Sequence, residues 1–295
     1  MELRHLRYFL VVADELHFGR AAARLHITQP PLSQQIRQLE DQLGVVLLQR
    51  TKRRVQLTDA GRAFQEAARQ VLAQAEQAVQ TAQRAHRGEL GPLTVGFVGS
   101  AIAGIFLELL SAFRTRCPDV ELTLQELTTA QQVQALREWR IDVGVLRPPI
   151  GEEALALETI GRESLVVVLP KTHPLAAQRR IPLHALAHET VVLAPRNLGP
   201  GVQDEIMELC HRAGCYPQRL PGAAQMLAVI GLVAAGMGLS LVPASMRTVQ
   251  WKGIVYRPLQ DQVPQAELAV AWRRDTTSAV VQMFVDVVRK TTRKQ

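Results

Sequence analysis

The chain has 295 residues, 47% hydrophobic and 21% charged, a balance that excludes a disordered or fibrous polymer and a length that exceeds one ordinary core. Its formal net charge of +7 favours polyanionic partners, and the excess is denser at the front: 13 Lys and Arg face 9 Asp and Glu in residues 1–90, against 21 and 18 in the remainder. Three cysteines, Cys117, Cys210 and Cys215, are too few for a disulfide framework and suit a reducing cytoplasm.

Residues 1–5 hold no long apolar run and no cleavage pattern, which argues against a secretory signal. A first helix is predicted over residues 3–14, where Leu3, Leu6, Leu10 and Ala13 recur at three- and four-residue steps with Phe9 beside them. A short second helix over 18–25 turns Phe18, Ala21, Ala22 and Leu25 inward. His26, Ile27 and Thr28 then make a tight turn. A third helix starts at Gln29, with Thr28 as its N-cap. Pro30 and Pro31 fall in its first turn, where a missing N–H costs nothing. Leu32, Ile36, Leu39 and Leu43 form its buried face. Gln29, Ser33 and Arg37 form another, with Gln34 and Gln38 nearby and no carboxylate before Glu40. Amides read adenine edges, and a guanidinium reads guanine or clamps phosphate. Thr28, Gln29, Pro30, Pro31, Ser33, Gln34 and Arg37 are therefore the expected DNA-facing set. A solvated polar face is the alternative, and the short-helix, turn, longer-helix spacing speaks against it.

Gly44 stops the third helix. Residues 46–48 and 55–57 read as two short strands. Between them Arg50, Lys52, Arg53 and Arg54 place four cations in five positions. This reads as a basic hairpin wing aimed at phosphate or the minor groove. A generic basic loop would look similar; its place beside the third helix is what favours a wing. The run from Phe18-Gly19-Arg20-Ala21-Ala22 through Gln29-Pro30-Pro31-Leu32-Ser33 to Ile36 resembles the head of LysR-type transcriptional regulators. Leu43-Gly44-Val45 through Arg50, and Leu57-Thr58-Asp59-Ala60-Gly61, match that family's wing and its exit. The resemblance implies a winged helix-turn-helix over residues 1–58.

Residues 58–87 hold no proline and one glycine, Gly61. Thr58 can cap a helix here. Phe64, Ala68, Val71, Ala75, Ala78, Ala82 and Ala85 step by four and three, a coiled-coil seam of small side chains. So long a helix with such a seam needs a partner, and dimerisation is expected through it; an intrachain partner is the alternative. The resemblance implies a linker-helix pair within a dimer, and a tetramer built from two dimers. Residues 59–90 are thus a linker, ending in a hinge at 86–92.

After Pro92, apolar strands alternate with helical patterns, an α/β arrangement. Strands are expected over 93–98, 120–125, 141–145, 164–169, 190–193, 239–242 and 268–272. Helices are expected over 102–116, 130–139, 202–213, 225–235 and 278–289. Residues 220–246 lack charge and are long enough to span a bilayer. Their glycines and prolines parse them better as a buried helix, a turn and a buried strand. The order is similar to the periplasmic-binding-protein-like effector domain of the same family, as are Lys171-Thr172-His173-Pro174-Leu175. That resemblance implies an effector domain over 91–295, lobe one holding 91–162 and 267–295 and lobe two 163–266.

Open α/β sheets bind ligands at strand carboxyl ends against helix N-termini. Ser100 and Thr129 each follow a strand and precede a helix; plain N-capping is the alternative for both. Gly199-Pro200-Gly201-Val202 opens a helix in lobe two, and Gln225 opens another. Arg147, just past the third strand, can pair with a carboxylate, a surface or interlobe salt bridge being the alternative. Ser100, Thr129, Arg147, Pro200, Gly201, Val202 and Gln225 are the expected effector contacts. Gly96-Phe97-Val98-Gly99-Ser100, Arg140-Ile141-Asp142 and the run from Gly231 to Gly236 resemble the subgroup governing aromatic-compound degradation. That implies a benzoate- or muconate-like acid as inducer, although Val202 stands where some members carry an aromatic residue and the Arg196-Asn197-Leu198 loop differs.

Double-stranded DNA, a small acid, a second copy of the chain and RNA polymerase are the expected partners, and activation is the expected output. No cofactor, metal or membrane is expected. A Cys210, His211, Cys215 metal site lacks a fourth ligand at a familiar spacing. A transport protein would share the lobes but not the head. An enzyme would need a nucleophile–base pair, a phosphate loop or paired carboxylates, none of which the sequence displays.

Overall fold

The computed structural model describes residues 1–51, 54–193, 207–208, 210–212, 214, 216–221, 223, 225–263 and 265–293. Packing divides the chain into two units, Met1–Gln83 and Arg84–Gln295.

In the first unit α1 (Leu3–Glu15), α2 (Phe18–Arg24) and α3 (Gln29–Leu43) enclose Phe9, Val12, Phe18, Ala21, Leu32, Ile36 and Leu39. The inward stripe of α1 is Leu6, Phe9, Val12 and Ala13; Leu3 is exposed and Leu10 only half-buried, against expectation. Both stripes obey the helical period. The large ring of Phe9 fixes the rotation, because its burial removes the most apolar area from water. Gly44, at φ 69°, ends α3 in the left-handed conformation that glycine adopts without strain.

β1 (Leu48–Arg50) pairs antiparallel with β2 (Val55–Leu57), Leu48 opposite Leu57 and Arg50 opposite Val55. The strand begins at Leu48 rather than at 46. Glu40 explains the shift: its Oε1 accepts from the N–H groups of Leu47 (2.9 Å) and Leu48 (3.0 Å), tying the approach to α3 and leaving Val45 and Val46 exposed. α4 (Asp59–His86) follows at once. Thr58 Oγ1 accepts from Gly61 N–H at 2.8 Å and caps it. A Cβ on Gly61 would stand 2.1 Å from the Leu47 carbonyl oxygen, so only glycine lets the helix start so close to the strand entry.

In the second unit the elements run β3 (Gly91–Phe97), a 3-10 turn (Gly99–Ala103), α5 (Phe106–Arg116), β4 (Val120–Glu126), α6 (Thr129–Arg137), β5 (Val143–Leu146) and β6 (Leu155–Glu163). After a long excursion, β12 (Ala266–Arg273) and α8 (Ala279–Thr292) return to them. The five strands order as β4-β3-β5-β12-β6, with β3, β4 and β5 mutually parallel and β12 antiparallel to β5 and β6. Phe106, Phe113 and Phe284 anchor the core on one face, with Val95, Val143 and Val270 beneath them.

The excursion falls within the span expected as lobe two. β7 (Leu165–Pro170) is central and almost wholly buried, flanked antiparallel by β10 (Ser240–Pro243) and β11 (Ile254–Pro258). β8 (Thr190–Leu193) and β9 (Gln218–Pro221) pair in parallel. α7 (Met226–Ala234) packs Val229, Ile230 and Val233 against Val166 and Val168 of β7. The uncharged stretch around it is thus a buried helix and strand, and among the described residues no helix is long and apolar enough to cross a membrane. β6, β9 and β11 were not anticipated. The expected helix over 102–116 begins only at Phe106, after the 3-10 turn, with Gly104 at φ −125°, ψ −148° between them.

Candidate functional site

The polar face of α3 is largely exposed. Thr28, Gln29, Pro30, Pro31, Gln34 and Arg37 are exposed and Ser33 half-buried, all on α3 or at its N-terminus. Thr28 occupies the N-cap without a side-chain cap bond, so its hydroxyl is not spent on the helix. The wing cations divide. Arg50 is not at the tip: it lies in β1, pairs with Glu40 and sets its guanidinium 4.9 Å from the centre of the Phe18 ring. Glu40 thereby joins α3, the strand entry and Arg50, a fastening role that no local pattern announced. Arg54 is exposed, and its carbonyl accepts from Thr51 N–H at 2.9 Å to close the tip. Lys52 and Arg53 lie outside the described residues.

Along α4 the seam also divides. Phe64 sets its ring edge-on to Phe9, centroids 5.2 Å apart, and Ala68 is buried, so the head itself covers these two positions. Val71, Ala78, Ala82 and Ala85 are exposed and Ala75 half-buried. The span expected as a hinge is ordered by contacts: Arg87 pairs with Glu89, and Gly88, at φ 73°, turns against the Ala279 carbonyl.

In the second unit two of the expected effector residues, Ser100 and Thr129, gather on a third, Arg147. Arg147 follows β5 and is 6% exposed. Its Nε donates to Ser100 Oγ at 3.1 Å, Nη1 to the Glu267 carbonyl oxygen at 3.3 Å and Nη2 to Glu163 Oε1 at 2.9 Å. Its backbone N–H donates to Thr129 Oγ1 at 3.3 Å, whose hydroxyl donates back to the Arg147 carbonyl at 3.4 Å. Burial pulls the guanidinium's pKa down from its usual value, and the Glu163 carboxylate pulls it back up. An arginine so placed stays charged. The other oxygen of Glu163, Oε2, accepts from Ser245 N–H at 2.7 Å, which carries the cluster into lobe two.

Neither Ser100 nor Thr129 is a cap. Ser100 lies buried inside the 3-10 turn, and the N-cap of α6 is Thr128, in a reciprocal box with Gln131. Both hydroxyls are thereby released to Arg147. A cavity of about 200 Å³ opens between Ser100, Ile105, Ile160, Arg162, Glu163 and Ser245. A second, of about 220 Å³, lies between Thr129, Val133, Pro149 and Ile150. Gln225 is the half-buried N-cap residue of α7. Its Oε1 and Glu126 Oε1 both approach Gly99, standing 3.5 Å and 2.3 Å from where a Cβ there would sit, so a side chain at this position would require the exposed Glu126 side chain to move. Pro200, Gly201 and Val202, and the start of the helix expected over 202–213, lie outside the described residues, as does Cys215. Among the described residues no group of His, Cys, Asp and Glu is placed to hold a metal.

Glu163, Ser245, Glu126 and Gly99 were not singled out from the sequence. Glu163 ends a strand that the apolar pattern did not reveal, and Ser245 stands 82 residues away from it. Only Gly99, directly after a legible strand, carried a local signal.

Two family models match the chain: the bacterial regulatory helix-turn-helix of the lysR family over residues 3–62, and the LysR substrate binding domain over residues 86–293. The HTH-type transcriptional regulator AlsR of Bacillus subtilis (strain 168) is 40% identical over 287 residues, covering 97% of this chain and 95% of that one. The probable cat1 operon transcriptional activator of Acinetobacter lwoffii is 35% identical over 291 residues, covering 98% and 96%. Among solved structures, the LysR family transcriptional regulator CbnR superposes with a TM-score of 0.89 at 32% identity, over 98% of this chain and 100% of that one. Full-length CbnR complexed with its target DNA superposes with a TM-score of 0.84 at 31% identity, over 99% and 100%.

Proposed function

The chain belongs to the LysR family of bacterial regulatory helix-turn-helix proteins, and from that premise we propose that it is a transcriptional activator switched by a small carboxylate at the Arg147 cluster. It is a DNA-binding transcriptional regulator and not an enzyme, as its relatives are. The activating output, the acid and the assembly are our reading. Activation is supported by the cat1 operon relative, which is named an activator.

On the DNA side, the likeness to CbnR solved on its target DNA supports a DNA-binding head, and the chemistry of the exposed α3 face is our ground for assigning Gln29, Ser33, Gln34 and Arg37 to base edges. Arg54, with Lys52 and Arg53, meets the phosphate backbone and supplies affinity more than choice. The exposed stripe of Val71, Ala78 and Ala82 supports a second copy's α4 as its cover, giving a dimer and, by pairing dimers, a tetramer. RNA polymerase is then the partner that reads the arrangement on the promoter.

The observation that carries the effector reading is buried Arg147, whose guanidinium is held by Ser100 and Glu163 and whose backbone is bracketed by the Thr129 hydroxyl. A carboxylate arriving between the Ser100 and Thr129 hydroxyls competes with Glu163 for Arg147. Glu163 holds Ser245 of lobe two with its other oxygen. Ligand binding is thus felt across the lobes, and a conformer that binds the acid better gains population. A coupling of about 1–3 kcal/mol suffices to change promoter occupancy or bend. Benzoate- and muconate-like acids are the class we favour, from the likeness of residues 96–100, 140–142 and 231–236 to regulators of aromatic-compound degradation. The test is a footprint and bend assay on the promoter beside this gene, titrated with benzoate and muconate. A changed footprint or bend supports the reading, and no change at saturation with either acid sinks it.

A further inference from the structure

We propose that His5, buried behind the recognition helix, sets the polarity of a side-chain relay that makes Gln38 a hydrogen-bond donor to DNA phosphate. The proposal rests on the DNA-binding function of the head and adds two residues to it.

His5 lies in the first turn of α1 and is 6% exposed. Its Nδ1 accepts from the backbone N–H of Glu2 at 3.1 Å, as half of the box that caps α1. A backbone N–H only donates, so Nδ1 carries no proton and the ring proton sits on Nε2. Nε2 stands 2.9 Å from Gln35 Oε1 and therefore donates to it. The amide of Gln35 is thereby oriented, and its Nε2 donates to Gln38 Oε1 at 2.9 Å. Each link decides the next. With its oxygen turned to Gln35, exposed Gln38 turns its two N–H donors to solvent.

The place of Gln38 says what meets those donors. At 100° per residue, position 38 lies roughly 40° around α3 from Gln34, at the edge of the readout face. It follows Arg37, the last residue assigned to the bases, and a recognition helix reads bases with its N-terminal part. Further along, a groove-bound helix meets the phosphate walls, whose oxygens only accept. An amide locked as a donor matches that wall, and an unanchored amide would lose part of the bond to rotation. His5 is a positioning residue in this scheme and Gln38 the contact.

The experiment is a gel-shift titration of the full-length protein on its own promoter duplex and on a scrambled duplex of equal length. Gln38→Leu is expected to weaken both by about tenfold, the scale of one hydrogen bond to a charged group. Gln35→Leu, a half-buried change that spares the core, is expected to weaken both by about threefold, and the double variant to bind no worse than Gln38→Leu alone. His5→Gln, which keeps one acceptor and one donor, should bind like the parent. Nitrogen-15 spectra of labelled histidine should find His5 protonated on Nε2. Multiplying losses in the double variant, a loss confined to the promoter duplex, undiminished binding by Gln35→Leu, or a proton on Nδ1 would each overturn the relay.

Discussion

Arg147 Nη2 and Glu163 Oε1 stand 2.9 Å apart, and the second oxygen of the same carboxylate holds the Ser245 N–H at 2.7 Å. The pair is the point where the end of β5, the end of β6 and the turn after β10 meet. Removing Glu163 leaves a guanidinium that is 7% exposed at its side chain without its counter-charge. Glu163→Ala should therefore cost the second unit about 3 kcal/mol, read as a lower urea midpoint. A midpoint unchanged within about 0.5 kcal/mol would mean that water replaces the carboxylate without penalty.

Thr129→Val keeps the shape of the side chain and deletes the hydroxyl that brackets the Arg147 backbone. Stability should fall by only about 1 kcal/mol. Promoter binding without effector should persist, because the head is untouched, while the response to an effective acid should be blunted. An induction curve identical to the parent's removes Thr129 from the effector site.

Arg50 and Arg54 are neighbours in the wing with different work. Arg50→Ala breaks the contacts with Glu40 and Phe18 and should destabilise the head by about 1 kcal/mol in thermal melting. Arg54→Ala should leave melting unchanged but lower the salt dependence of DNA binding by roughly one in slope, equally on promoter and random DNA. A reversal of the two phenotypes would contradict their placement.

Val71 is 44% exposed on α4, past the stretch covered by the head. Val71→Glu should leave far-ultraviolet circular dichroism intact and shift sedimentation to a smaller species, because a carboxylate on an alanine-rich seam meets an apolar partner. Unchanged sedimentation would move the assembly contact away from this helix.

Gly88 and Gly44 both lie at helix ends with positive φ, 73° and 69°, yet they differ in surroundings. A Cβ at Gly44 meets nothing within 4 Å, whereas at Gly88 it would stand 2.2 Å from the Ala279 carbonyl oxygen. Gly44→Ala should cost about 1 kcal/mol, the conformational penalty alone. Gly88→Ala should cost more than twice that in chemical denaturation, because the start of α8 must also give way. Equal costs would show that the turn yields easily.

The sequence made α3 legible almost in full, since its cap, its prolines, its buried period and its glycine stop are all local signals. β7 was equally plain, because a strand buried on both faces is a continuous apolar run. What escaped shares one physical cause. β6 and β11 are edge strands and β9 pairs with β8 alone, so side chains such as Glu158, Arg162 and Arg257 dilute the alternation that marks a half-buried strand. The cluster was legible as a set of polar residues after strands, but not as a circuit. The partners of Arg147 lie up to 120 residues away, and no local spacing encodes that Glu163 holds it. Arg50 was misplaced for the same reason: four cations within five positions look alike until Glu40 selects one.

The ladder between β6 and β12 opens with Ala266 opposite Glu163. Lobe two therefore leaves and re-enters the five-stranded sheet on a single rung, about 5 Å apart. Excising it cuts no strand of that sheet, and a two-residue turn would close the wound into an ordinary hairpin. The chain is built like a socket with a removable cartridge. The part joined to α4, which carries Ser100, Thr129, Arg147 and Glu163, is continuous without the insert, and the insert reaches that cluster as one contiguous segment through Ser245.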